Sequence, residues 1–415
     1  MENLKEFIEL TKHRFIKYTG FWTASDRNIA ETPSTPGQWD LAKALVEELR
    51  GLGINDISLT DHCYLIARLP ASPGMEDISP VGFFAHLDTT EEVPGKDVKA
   101  ILVENYDGKP IELVNGLCLD PASQAGLAEQ KGRAIIHSDG STLLGADDKA
   151  GIAVIMGAAE YLLAHPELAH GPLELIFTPD EETVRGLPEF PLQEIKAKAA
   201  YTLDGGGLGD VKWECFNAWL AEIKFTGLAA HVGAARGSRV SAALMASVYA
   251  AMLPRNESPE STDGYYGYYG LMSISGDVEN ASLELYIRDF DQKEGERRIL
   301  ALHSFAQAVE AQFPGGKVEV SCKVQYKNMR DSIAARPEVM GKVRRAMANL
   351  GLKGTETPIR ACTDGSFLAE LGIPAQNIFN GGRNFHSRLE WLSVDDMAMS
   401  CRLIVELIRL WTEKK

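Results

Sequence analysis

Five apolar runs in this sequence each end at a histidine or a carboxylate. They are V-G-F-F-A-H-L-D (81–88), S-T-L-L-G-A-D-D-K (141–149), L-E-L-I-F-T-P-D-E-E (173–182), A-A-Y-T-L-D-G-G-G (199–207) and N-I-F-N-G-G-R-N-F-H (377–386). Short apolar runs bounded by turn residues read as buried strands. Helical patterns lie among them, at 41–53 (L-A-K-A-L-V-E-E-L-R-G-L-G, with a glycine stop) and 151–165 (G-I-A-V-I-M-G-A-A-E-Y-L-L-A-H). Strand–helix alternation predicts an α/β layer with a mixed, largely parallel sheet. In open α/β sheets the ligand crevice lies at the carboxyl ends of the strands. His86, Asp88, Asp147, Asp148, Glu181, Glu182, Asp204 and His386 are therefore expected to face one another. Carboxylates crowded beside an apolar layer repel and lose solvation, so such an array needs a cation. Histidine with carboxylate, and no thiolate, suits zinc or a similar divalent ion.

The spacing within these runs carries chemistry. In a strand, residues two apart point the same way, so Asp88 can sit behind His86, accept its second ring N–H and set the tautomer that binds metal. Successive side chains diverge, so of Glu181 and Glu182 one can bind an ion while the other faces the substrate water as a base. Two ions sharing one carboxylate could clamp both nucleophile and carbonyl oxygen. Asp180 has two readings, a strand-end cap or a partner for a substrate amine.

Composition narrows the function classes. The chain has 415 residues, with 42 basic and 58 acidic side chains and a net charge of -16. Phosphate contact needs clustered Lys and Arg, and no long basic run exists, so nucleic acid is not an expected partner. No 18-residue apolar run is present, which predicts no membrane span. The start, M-E-N-L-K-E-F-I-E-L, reads as an amphipathic helix and not a signal peptide. Cys63, Cys118, Cys215, Cys322, Cys362 and Cys401 are scattered without a C-x-x-C pair. That argues against a disulfide framework and for a reducing, cytoplasmic compartment.

Length predicts two domains. After D-G-G-G-L-G-D the texture becomes roughly β-α-β-β-α-β: strands near 219–227, 282–290 and 317–324, a helix near 240–252, and a charged helix ending about 312. A closing helix, D-D-M-A-M-S-C-R-L-I-V-E-L-I-R-L-W, ends the chain in the α/β texture. The expected organisation is a catalytic domain of residues 1–211 and 324–415, with 212–323 inserted into it.

The segments H-L-D-T, G-A-D-D-K-A-G, T-P-D-E-E, D-G-G-G and the late G-G-x-N-x-H resemble the peptidase T (aminotripeptidase) branch of the dizinc metallopeptidases, the family that includes carboxypeptidase G and aminoacylases. The resemblance covers essentially the whole chain, including T-P-S-T-P-G-Q-W, G-Y-Y-G-Y-Y-G, Y-I-R-D-F-D, P-I-R and T-D-G. It implies a zinc-peptidase catalytic domain and an inserted α+β lid or dimerisation domain. It implies two Zn2+ ions, with Co2+ or Mn2+ also fitting: His86 and Asp204 on one, Glu182 and His386 on the other, Asp147 bridging. It further implies Glu181 as general base, Asp88 as the group orienting His86, and a cis peptide between Asp147 and Asp148. In A-A-H-V-G-A-A-R-G, His231 matches the family histidine that helps hold the oxyanion, often across a homodimer. Arg288 and Arg360 resemble family arginines. Each reads either as a binder of a substrate carboxylate or as a structural ion pair. Val232, Ser241 and Ala361-Cys362 depart from the family pattern, which leaves strict tripeptide specificity in question. The implied activity is removal of the N-terminal residue from short peptides, preferentially tripeptides. A dipeptidase or N-acyl-amino-acid amidohydrolase using the same site is the alternative. A non-catalytic binding protein would be expected to lack the base or a ligand, and all are present.

Overall fold

Residues 2–413 are described in a computed structural model, the side chains of residues 2 and 3 excepted. The chain divides into two compact units, one of Met1–Trp213, Met329–Thr357 and Thr363–Lys415, the other of Glu214–Asn328 with Pro358–Cys362.

The larger unit is built on an eight-stranded sheet in the order 56–59, 65–69, 173–178, 81–86, 199–205, 375–379, 210–212, 355–356. Its four central strands, Leu173–Thr178, Val81–His86, Ala199–Gly205 and Ala375–Phe379, run parallel. Antiparallel partners flank them on both sides, so the sheet is mixed. The central strands are buried along their length, as expected when both faces are covered. Alternate side chains go to different cores. Phe83, Leu175 and Tyr201 pack in one, with helices Glu2–Thr19, Ala146–Ala164, Pro337–Asn349 and Val394–Trp411. Phe84, Ile176 and Ala200 pack in the other, with Leu368 and Ile373. Phe83 is fully buried and its ring lies 5.8 Å from that of Tyr201. Phe83→Ala is expected to cost about 3–5 kcal/mol of stability, through lost transfer energy plus a cavity. Urea unfolding checks this: an unchanged midpoint would show that the core collapses to fill the space.

Local signals explain most element ends. The helix Gly37–Gly51 stops before Gly53, whose φ of 88° is cheap only for glycine. Ser393 opens the last helix by accepting the Asp396 N–H. One expectation fails: S-T-L-L-G-A-D-D is not a strand. Leu143 and Leu144 form a loop, and the helix starts at Ala146, not 151. Two apolar residues between Gly140 and Gly145, both at positive φ, are too few to sustain extended backbone. A second sheet of short antiparallel strands, ordered 382–383, 391–393, 135–137, 101–103, has no counterpart in the sequence reading.

The smaller unit is a four-stranded antiparallel sheet, ordered 268–276, 280–289, 217–226, 317–326. With helices Ala242–Met252 and Gln292–Gln312 this is the expected β-α-β-β-α-β sequence of elements. The strand Asn217–Thr226 alternates buried and exposed residues toward its end. Gly295 is where the long helix meets this sheet, and a Cβ there would come within 2.2 Å of the Trp219 ring. Among the described residues no helix is long and apolar enough to cross a membrane, and the cysteines are free thiols.

Candidate metal and catalytic centre

Each of the four central parallel strands delivers a charged group at or beyond its carboxyl end. His86 is the last residue of its strand, and Asp204 is the sixth residue of Ala199–Gly205. Asp180, Glu181 and Glu182 follow Thr178, and His386 follows Phe379 across a glycine-rich turn. Asp147 comes from the loop-to-helix junction. It and Asp148 lie outside helical φ/ψ, and the peptide bond between them is cis.

Two groups of side chains could each hold an ion, with ligand atoms mutually within 4.8 Å: His86, Asp147 and Glu182, and Asp147, Asp148 and Asp204. They share Asp147. The His86 Nε2 lies 3.1 Å from Asp147 Oδ1, and His386 Nε2 lies 3.8 Å from Asp147 Oδ2. The Glu182 Oε1 comes 2.9 Å from His386 Nε2, yet no hydrogen bond satisfies this buried oxygen. The distance meets the ion-pair limit while the geometry misses that of a hydrogen bond. Among the described residues no lysine or arginine pairs with Asp147, Glu181, Glu182 or Asp204; the histidines alone offer positive charge. An orphaned carboxylate oxygen inside a mixed nitrogen and oxygen donor set is what a divalent ion would complete.

The electrostatics follow from burial. Burial and the neighbouring Asp147 and Glu181 raise Asp204 well above the usual carboxylate range. Burial likewise raises Glu182, with Asp147 adding and His386 opposing. Burial disfavours charge on both histidines, but adjacent carboxylates prevail. Asp147 and Asp88 hold His86 well above its ordinary value, and Glu182 lifts His386 to about 9.

Asp88 does more than the H-L-D spacing implied. Its carboxylate lies 3.3 Å from His86 Nδ1 and also accepts the backbone N–H groups of Glu181 (3.0 Å) and Glu182 (3.1 Å). One buried acid thus orients a histidine and fixes the turn carrying both glutamates. Asn at this position keeps the shape but loses charge and acceptor capacity. We expect Asp88→Asn to weaken metal affinity or activity by about 10–100-fold. Metal content after dialysis, measured beside turnover, checks this; wild-type values for both would remove Asp88 from the site.

Glu181 is 8% exposed, and among the described residues no hydrogen bond reaches its carboxylate. Burial is the main cause of its strongly raised pKa; His86 opposes, while Asp364, Glu182 and Asp88 add to it. Asp180 resolves as a structural anchor. It accepts the Ser34 N–H and hydroxyl and the Gln38 amide, and pairs with Arg185, so it is committed to the loop at Ser34 and the first turn of the helix Gly37–Gly51.

His231, Arg288 and Arg360 all group with the smaller unit, whereas the sequence reading put residue 360 in the catalytic domain. His231 is exposed, and its Nδ1 accepts the Gly233 N–H. Arg288 is 5% exposed, donates to the carbonyls of Trp219 and Ile287, and stacks on Tyr286 and Tyr326. Arg360 donates to Gly264, Tyr266 and Thr262 and stacks on Phe216 and Tyr268. Val232 is 76% exposed, Ser241 caps the helix Ala242–Met252, and Ala361 and Cys362 belong to the smaller unit.

The sequence reading places Asp148 at the centre but singles out neither Glu92 nor Asp364. Asp148 accepts from His86 N, Gly151 N and Asn380 Nδ2, bracing the strand end. Glu92 lies 3.3 Å from His386 Nδ1, mirroring the role of Asp88 toward His86. Asp364 is buried, accepts from Thr178, and retains one oxygen without a hydrogen-bond partner. The T-D-G around Asp364 was the one available signal; the contact of Glu92 with His386 joins distant segments.

Residues 134–410 match the profile of Peptidase family M20/M25/M40. A peptidase T of a Geobacillus species (strain WCH70) is 45% identical over 403 residues, covering 97% of this chain and 98% of that protein. The chain belongs to this peptidase family. Its fold is similar to the crystal structure of an aminopeptidase PepT from Bacillus cereus, with a TM-score of 0.77, 22% identity and coverage of 98% and 99% of the two chains. A tripeptidase from Staphylococcus aureus gives a TM-score of 0.76 at 19% identity, again covering 98% and 99%.

Proposed function

We propose that the protein is a dinuclear metallo-aminopeptidase that removes the first residue of short peptides and prefers tripeptides. The observation that carries this is the pair of potential ligand groups sharing Asp147, set beside a buried Glu181 with no cation of its own. The full-length relatives named peptidase T support the choice of substrate. In this reading, which takes the ligand split from the family resemblance, His86 and Asp204 would hold one ion, Glu182 and His386 the other, and Asp147 would bridge; the convergent groups instead set His86 beside Glu182 and Asp204 beside Asp148, with His386 in neither. Zinc suits the donor set, as do Co2+ and Mn2+. When bound, such a pair would polarise the scissile carbonyl and lower the pKa of water toward neutrality.

The remaining chemistry belongs to the side chains. Glu181 accepts the proton of the attacking water and then gives it to the leaving amine. Burial suits the second half of that task, because it favours the acid form that gives its proton to the leaving amine. Asp88 keeps His86 in the tautomer whose Nε2 faces the ligands. His231 is the proposed oxyanion donor. Arg360 is the proposed partner for a substrate carboxylate. Arg288 is proposed for the same carboxylate; its guanidinium is buried and donates to the Trp219 and Ile287 carbonyls. A homodimer through the smaller unit and a cytoplasmic setting belong to the same reading; free thiols throughout suit a reducing compartment.

The test is product analysis by mass spectrometry with zinc-loaded protein. The substrates are a free tripeptide, its N-acetylated form and the matching di- and tetrapeptides. Release of the first residue from the free tripeptide, with the acetylated form untouched, is expected. Faster cleavage of the acetylated peptide or the dipeptide would move the protein to the deacylase or dipeptidase side of its family.

A further inference from the structure

Glu390 lies four residues after His386 and is 1% exposed, yet the reaction described above makes no use of it. Its partners are three consecutive backbone N–H groups. Oε2 accepts from Leu144 (2.7 Å) and Gly145 (2.9 Å), and Oε1 accepts from Ala146 (2.6 Å). These donors sit at the start of a helix, where N–H groups lack intrahelical acceptors. Gly145 is left-handed and the next two residues after Ala146 are non-helical, so the turn has a shape of its own to maintain. The residue immediately after the clamped turn is Asp147.

The loop bearing His386 is itself braced. Asn384 Nδ2 donates to the Leu389 carbonyl at 3.0 Å, and the Glu390 N–H donates to the Ser387 carbonyl. Arg388, from the same stretch, donates to the Ser141 carbonyl. Two side chains from one loop therefore grip the 141–146 segment at both ends.

We infer that Glu390 is a positioning residue, which locks the Asp147 turn to the His386 loop so that both stand at their proper separation before an ion arrives. The inference rests on the metal-ligand reading above. A carboxylate is required because it is acceptor-only and its two oxygens can take three N–H donors at once. Glutamine would turn an NH2 group toward at least one of them and leave a buried donor unpaired. Groups that orient metal ligands typically change affinity by about 10–100-fold when replaced.

The test compares full-length wild type and Glu390→Gln after chelation. Each is titrated with Co2+ and followed by visible absorption and bound-metal content, and kcat and KM are measured separately. The expected result is that the variant binds at least one Co2+ about 10–100-fold more weakly, with altered absorption bands. KM should stay within about threefold, and excess Co2+ should restore part of kcat. An identical titration and spectrum with only a lower melting temperature would reduce Glu390 to a structural residue and overturn the inference. If wild type itself takes up no cobalt, the metal reading falls and this inference with it. A second measurement does not depend on the variant folding. In metal-free wild type the amides of residues 144–146 should be at least about 100-fold protected from exchange. Free exchange there until cobalt is added would show that the turn is not preset.

Discussion

Glu181→Gln is expected to lower kcat for a tripeptide by about 10²–10⁴-fold, the usual contribution of general acid–base catalysis. That range corresponds to about 2.7–5.4 kcal/mol of transition-state stabilisation. Metal content should stay at the wild-type level, because this side chain is not among the groups whose atoms converge on Asp147. KM should change little, since the proton transfer occurs only on the way to the transition state. The backbone N–H of residue 181 still donates to Asp88, so the turn survives the substitution. Stopped assays with matched metal loading decide the matter: turnover within tenfold of wild type would remove Glu181 as the base.

Exhaustive chelation is expected to abolish turnover and to destabilise the protein, and the destabilisation should grow with pH. The sign follows from the raised groups. A histidine whose folded pKa is raised adds stability that is complete below its unfolded value of about 6.5 and is lost as pH climbs through the folded value. For His386 that value is about 9. A carboxyl whose folded pKa is raised favours folding in its protonated form, so Glu181, Glu182 and Asp204 also withdraw support as pH rises. Asp147 has the opposite shift, but its contribution is lost only below the ordinary carboxylate range and is constant near neutrality. Stripped protein should therefore melt lower at pH 8.5 than at pH 6. Loaded protein, with cations in place of protons, should hold its melting temperature. A ligand at 1,000-fold over its Kd adds about 4 kcal/mol, or a gap on the order of 7 °C for a unit of roughly 300 residues. A stripped sample that melts alike at both pH values, or turns over substrate after chelation, would remove the metal from the account.

Much of this was legible in the linear chain because local physics wrote it there. L-E-L-I-F-T is a strand over the predicted residues, and the β-α-β-β-α-β run of the smaller unit appears in the predicted sequence of elements. Apolar period and turn residues are short-range signals and survive without tertiary context. The second sheet was not legible, since strands of two or three residues carry no period. S-T-L-L-G-A-D-D misled because an apolar pair before two acids looks alike in a strand and in the approach to a helix.

By itself the sequence determined the class of chemistry. Histidines and acids at the ends of apolar runs must converge wherever those runs lie parallel, and their crowding calls for a cation. Only the tertiary structure decided which donors reach each acid. Asp88, Asp148, Asp180 and Glu390 carry the same functional group as Glu181 and Glu182, yet their oxygens accept from backbone or amide donors of segments far away in sequence. Whether a buried carboxylate is a ligand, a base or a brace depends on which donors reach it, and that is a property of folded neighbours, not of residue order.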